Sequence, residues 1–427
     1  MFLQPEKSNK KSNPKKTKLK KFYPKIFSLI LLVTTIAVFS IANKNKEKLK
    51  NNTDINQLAE TSSQNVKNTD IGNLHGQEKE LKKELRAVWI PFMDLQVQDF
   101  NEENFKKHYK DILDKVEKIN LNTVFVQVRP FSDALYPSKL FPWSHILTGK
   151  QGKNPGFDPL AFMIEETHSR NIQFHAWIVP MRIKNTHFPQ DLSEMNPCVK
   201  WEKEEPEKFK KYVVKTQEYE YYDPQYEEVR KLIADGVKEI VEAYNVDGVN
   251  FDDYFYPANN LWVDGKFTGS MEKITQEKKD EENQIRKKRS ESINLLISEV
   301  YSLIKSIKSE VLFGVCPQGN FDNLEKAGVD VMTWTKNQGY VDYLCPEIYT
   351  NSENPVLPFE KAASDWRKLC SDKKISLYAG LGLYKTGTNE YDKGSWLKSD
   401  DIIKNQIEHL RRENYDGFAL YSSVYLD

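Results

Sequence analysis

Four carboxylates stand where apolar runs of this sequence give out: Asp133 in DALYPS, the adjacent pair Asp252 and Asp253 in VNFDDYFYP, and Glu347 in CPEIY. Two carboxylates facing each other are what glycoside hydrolysis requires. One holds a proton for the leaving oxygen, and the other is ionised to attack or to activate water. Asp252 reads as the charged partner, with Glu347 or Asp133 as the acid. Arg129, in VFVQVRP, is a cation able to keep Asp252 ionised. His175 and Trp177, in HAW, offer a hydrogen-bonding ring and a stacking ring for sugar hydroxyls and faces. On a regular strand Asp253 points away from Asp252, so a salt bridge behind the sheet and a functional role are equally open. An Asp doublet also suits a divalent cation, but no second Asp, His or Glu cluster at metal spacing accompanies it. The reading therefore includes neither metal nor cofactor.

Rings near the same strand ends suit a sugar cleft, because flat apolar faces pack against the C–H faces of pyranoses. They are Tyr136, Trp143, Trp177, Tyr254, Tyr256, Trp334 and Tyr349, and Gln318 in VCPQGN joins them as a polar candidate. Simple core packing is the competing reading for each ring. Trp89 is ambiguous, since its strand reads equally well in either parity.

Eight short apolar runs must position these groups: 85–92, 123–130, 173–180, 247–257, 312–319, 340–349, 376–384 and 415–423. Helical patterns separate most of them. Phe105, Tyr109, Ile112, Leu113 and Val116 recur at three- and four-residue intervals. Val229, Ile233, Val237 and Ile240 stripe a second helix, read as opening at Pro224. Strands alternating with helices predict an α/β fold, and eight such units predict a (β/α)8 barrel of the TIM type over residues 84–427. An open doubly wound sheet would need a Gly-rich phosphate turn after the first strand, and PFMDLQ there has none. Catalysis in a barrel sits at the C-terminal strand ends. Side-chain alternation sends Gly248, Asn250 and Asp252 into the lumen, and likewise Gln127 with Arg129, His175 with Trp177, and Glu347 with Cys345 and Tyr349. The long polar loops 142–159 and 258–280 read as functional. Only a few residues follow the eighth run, so the flank an eighth helix would cover is expected to be open or covered by an earlier segment.

Composition narrows the class further. Lys and Arg total 62, as do Asp and Glu, so no global field favours nucleic acid or an acidic polymer. Cys198, Cys316, Cys345 and Cys370 are too few and scattered for a disulfide framework or a zinc site, and read as buried thiols. Residues 1–25 carry nine lysines, and residues 26–42 are mainly apolar. That arrangement predicts a membrane anchor or a signal peptide, with everything beyond it exported. Residues 43–83 are polar and read as a flexible linker.

Taken together, LRAVWIPF, the stretch from NTVFVQVRPFSDALYPS to HAWIVPMRI, VDGVNFDDYFYP, FGVCPQGN, VDYLCPEIYT and DGFALYSS closely resemble the bacterial glycosyl-hydrolase-like family 10. The resemblance covers essentially all of residues 84–423. It implies an exported barrel acting on cell-wall glycan, notably peptide-free peptidoglycan, by hydrolysis of β-1,4 bonds between N-acetylated amino sugars. It carries over Asp133, His175, Trp177, Asp252, Asp253 and Tyr349 as site residues. The chain departs from the family pattern at Cys316, where Ser is usual, and at Glu347, where Gln is usual. A non-catalytic carbohydrate-binding barrel and a hydrolase of another extracellular polysaccharide are the competing readings. A metal-dependent deacetylase is a third reading, disfavoured by the lack of a His-rich ligand set.

Overall fold

The structure, a computed structural model, describes residues 84–426 except 186–190, 217–218, 257–261, 264–265, 268–275 and 373–374. The expected basic segment, membrane segment and linker lie outside the described residues, as does most of the 258–280 loop. Among the described residues no helix is long and apolar enough to cross a membrane.

Thirteen strands are described: β1 (Leu85–Ile90), β2 (Thr123–Arg129), β3 (Gln173–Ile178), β4 (Arg182–Asn185), β5 (Val213–Lys215), β6 (Tyr219–Tyr222), β7 (Gly248–Phe251), β8 (Trp262–Val263), β9 (Lys266–Phe267), β10 (Leu312–Val315), β11 (Tyr343–Leu344), β12 (Ser376–Leu381) and β13 (Gly417–Leu420). Eight of them, in the order β1-β13-β12-β11-β10-β7-β3-β2, form a closed parallel barrel. Each lies inside one of the eight apolar runs. The intervening helices bury the stripes read from sequence. Glu102–Lys118, capped by the Asn101 side chain on the backbone N–H groups of Glu103 and Asn104, buries Phe105, Tyr109, Ile112, Leu113 and Val116. Full burial of such side chains is worth about 1.5–3 kcal/mol each, so this face rather than helix propensity holds the element. Glu227–Ala243 buries Val229, Ile233, Val237 and Ile240, but starts three residues after Pro224. The Pro224 carbonyl instead accepts from the Arg230 guanidinium.

A repeated polar device fixes the bottom of the barrel. The residue before every second strand accepts, through its side chain, the backbone N–H of the second residue in the preceding strand. Asn122 does this for Arg86, Asp247 for Phe174, Asp342 for Phe313 and Asp416 for Leu377, at 2.7–2.9 Å. In each case the same residue's own N–H donates back to that partner's carbonyl. Adjacent strands are thereby locked in register in pairs, which satisfies donors at the point where the ladder begins.

Two features were not legible from periodicity. Between β3 and the helix at 227–243 the chain builds a small antiparallel sheet, β4-β6-β5, with the helices Pro197–Glu204 and Pro206–Tyr212. At the other end, β13 pairs with β1 as an eight-stranded barrel requires, and what covers the flank beyond it is the segment that follows β13 rather than an earlier one. The turn Ser423–Tyr425 then packs against β1 and the Glu102–Lys118 helix. Asp94 holds that turn, accepting from the Ser422 and Ser423 hydroxyls and the Val424 N–H. All four cysteines are free and buried.

Candidate active site

The mouth of the barrel is shaped by where the ladders stop. Pro317 follows β10 and Pro346 follows β11, and neither has an N–H to continue a ladder. Glu347 is held beyond that break by its own backbone: its N–H donates to the Pro317 carbonyl at 2.8 Å, and its carbonyl accepts from Gly319 at 3.1 Å. At the end of β7 the extended backbone lapses after Phe251. The Asp252 side chain accepts from the Tyr254 N–H, and strict alternation no longer sends Asp253 behind the sheet. Asp253 instead lines a cavity of about 200 Å3, together with Gln318, Glu347, Tyr349, Asn354 and Tyr384.

Asp252 lies deeper and is only 2% exposed. Its Oδ2 accepts from the Trp177 indole N–H at 2.9 Å. Burial pushes its pKa up to about 7, against the Arg182 charge, and Asp253 raises it further. Burial also raises Asp253, opposed by a hydrogen bond from Gln318. The Gln318 carbonyl oxygen accepts from the Asn323 amide at 2.8 Å, which turns the Gln318 NH2 toward Asp253. Glu347 is held well above the usual carboxylate range by burial and by its two aspartate neighbours. Three carboxyls around one space cannot all be charged, so the site carries protons near neutral pH.

The cation acting on the aspartates is Arg182 of β4 rather than Arg129. The Arg182 guanidinium lies between the rings of Phe131 and Tyr254, 4.7 and 4.5 Å from their centroids, and its Nε donates to the Pro130 carbonyl. Sequence reasoning missed it; the only signal was an arginine just past the third strand, on an insertion too short in its strands to be seen. Tyr384, Tyr421 and Tyr425 were missed too. Their rings, with Tyr349, form a contiguous aromatic rim.

Other expected site residues stand elsewhere. The register shifts between Gln127 and Arg129, so Arg129 leaves the lumen. Its guanidinium packs 4.5 Å from the Phe141 ring and against Gly236, where an added Cβ would collide with Nη1. His175 does face the lumen, but below the mouth, beside Gly248 and hydrogen-bonded to the Tyr343 hydroxyl at 3.0 Å. Burial lowers its pKa to about 4, so it is a neutral packed ring. Asp133 is buried in the loop after β2, where its nearest polar partners are His145 and Gln151, each at 3.5 Å. None of the leading charge partners of Asp252, Asp253 or Glu347 is Asp133. Tyr136 is buried and donates to the Gly236 carbonyl. Tyr256 is buried against Asp223, and Trp334 against Asn294. Trp143 is half-buried at a bridge to Ala134. Trp177, Tyr254, Gln318 and Tyr349 do gather around the carboxylates. Trp89 proves to face the lumen, beneath Tyr349 and Tyr421. No group of His, Cys, Asp and Glu among the described residues is arranged to hold a metal ion.

A model of the family described as Glycosyl hydrolase-like 10 matches residues 84–398. Glycosyl hydrolase YngK of Bacillus subtilis (strain 168) is 35% identical over 362 residues, spanning 80% of this chain and 68% of that protein. Glycosyl hydrolase DigH of Escherichia coli O6:H1 is 31% identical over 342 residues, 74% of this chain and 75% of its own. Among solved structures, the PgaB (BpsB) glycoside hydrolase domain from Bordetella bronchiseptica aligns with a TM-score of 0.52 at 12% identity. That alignment covers 80% of this chain and 95% of the other, a likeness of fold.

Proposed function

The chain belongs to the glycosyl hydrolase-like 10 family and is an enzyme of the glycoside hydrolase class; on that premise we propose that it hydrolyses bacterial cell-wall glycan outside the cytoplasm. The bonds are β-1,4 linkages between N-acetylated amino sugars in glycan freed of its peptides. The basic segment 1–25 and the apolar segment 26–42 support export, with the domain tethered to the membrane or released from it. The observation that carries the reading is the coupled pair of aspartates at the barrel mouth, one at the cavity surface and one behind it. Asp253 gives its proton to the glycosidic oxygen. Asp252 acts in its ionised form, which the Trp177 and Tyr254 N–H groups and the Arg182 charge support against burial and which becomes populated as pH approaches about 7, and it stabilises the positive charge that develops on the sugar ring. Asp253, its proton spent, then takes one from the incoming water.

Glu347 supplies neither charge in this scheme. A protonated glutamic acid and a glutamine both present a neutral donor and acceptor, which explains how the chain accepts Glu where its family usually has Gln. Glu347→Gln is therefore expected to keep kcat within about threefold near pH 7. The alkaline limb stays in both proteins, because it belongs to the proton that Asp253 must hold to give to the leaving oxygen. A pH–rate profile of both proteins checks this. A loss of hundredfold or more at pH 7 would make Glu347 the proton donor instead.

The substrate is tested by incubating the enzyme with peptide-free glycan, intact peptide-bearing sacculi and an unsubstituted β-1,4-glucan, and measuring the saccharides released. Release from the first alone supports the proposal. Equal release from the glucan would favour another extracellular polysaccharide, and binding without release a carbohydrate-binding barrel.

A further inference from the structure

Resting on that substrate reading, we propose that the cavity beside Asp253 is a subsite for an uncharged sugar unit, and that it decides which of two alternating bonds is cut. The lining is polar but its described residues include no lysine, arginine or histidine. It is built from amides and a hydroxyl, Gln318, Asn320, Asn323, Asn354 and Thr350, with the two carboxyls of Asp253 and Glu347. Several of these amides are already oriented by the protein. Asn323 donates to Gln318, the Asn320 side chain caps the following helix at the Asp322 N–H, and Asn354 donates to Asp392 at 2.6 Å while accepting from Val356 and Leu357. Pre-set amides of this kind suit hydroxyl and acetamido groups, which donate and accept without charge. Val356 and Leu357 give the cavity an apolar side, and Tyr384 a ring.

An anionic substituent in the same place would give up water to a lining whose described residues include no cation, and taking a carboxylate out of water without a partner is costly. The Arg182 guanidinium is packed under Tyr254 and the Lys385 ammonium lies over the Tyr391 and Tyr384 rings, and neither belongs to the lining. Cell-wall glycan alternates a neutral N-acetylated hexosamine with one that carries a carboxylate side arm. A cavity that admits only the neutral unit makes every cut fall at the same one of the two bonds, so all new ends are of one kind.

The test digests peptide-free glycan with the full-length protein, tags the new reducing ends by borohydride reduction and identifies them by mass spectrometry. One end type is expected to exceed the other by about tenfold or more. Val356→Lys, at a position 37% exposed and therefore tolerant of change, brings a cation to the rim. It is expected to raise the minor end type, as is amidation of the glycan's carboxylates. Equal end types from the wild type would overturn the subsite while leaving the hydrolase reading intact. A bias that neither Val356→Lys nor amidation moves would overturn its electrostatic basis. No cleavage at all would overturn the substrate reading and the subsite with it.

Discussion

Asp253→Asn turns over glycan about a thousandfold more slowly than the wild type, while the affinity for unreacted chains is kept. The residue lines the cavity and is oriented by a relay, Asn323 to Gln318 to Asp253. Asparagine keeps the shape and can still bond to a sugar, but it cannot give a proton to the leaving oxygen or remove one from water. The loss therefore falls on kcat and leaves KM nearly unchanged. Steady-state kinetics with a soluble glycan oligomer separates the two. A variant that lost binding in the same proportion as turnover would show Asp253 to be a sugar ligand and no more.

Asp252→Asn has two consequences of opposite sign. Activity falls by about a hundredfold or more, because the ionised partner that stabilises the transition state is gone. Stability changes in the variant's favour as pH rises. The native Asp252 carboxyl has a pKa of about 7, against an ordinary value of 3.8 in the unfolded chain. A carboxyl raised in the folded state binds its proton more tightly there. Folding is therefore unaffected by this group below about pH 4, and is progressively weakened as pH rises toward 7, where the cost levels off at a few kcal/mol. Asparagine does not titrate and escapes that cost. Urea melts of both proteins at pH 4 and pH 8 measure it: the variant gains on the wild type between the two. A constant difference across that range would mean that Asp252 is ionised at no cost in the native state.

Much of the fold was legible because its strands and helices bury residues at the periods their geometry demands. The buried set of the Glu102–Lys118 helix is the stripe read from the sequence, and each barrel strand lies within an expected run. What was not legible turned on local breaks in regularity. Alternation put Arg129 in the lumen, and a one-residue register shift took it out. Alternation put Asp253 behind the sheet, and the end of β7 brought it to the cavity. Aromatic identity alone did not separate Tyr254, 43% exposed under a guanidinium, from Tyr256, buried two residues later. Arg182 escaped because it rides on a four-residue strand of an antiparallel insertion that no period announces.

The measurement that tests the central claim most directly is a digestion of peptide-free glycan in water enriched in oxygen-18, followed by mass spectrometry of the fragments, with Asp253→Asn run beside the wild type. Hydrolysis through this aspartate pair predicts one heavy oxygen at each new reducing end, and no such fragments from the variant over the same interval. Unlabelled anhydro ends, or labelled fragments formed equally fast by Asp253→Asn, would contradict it.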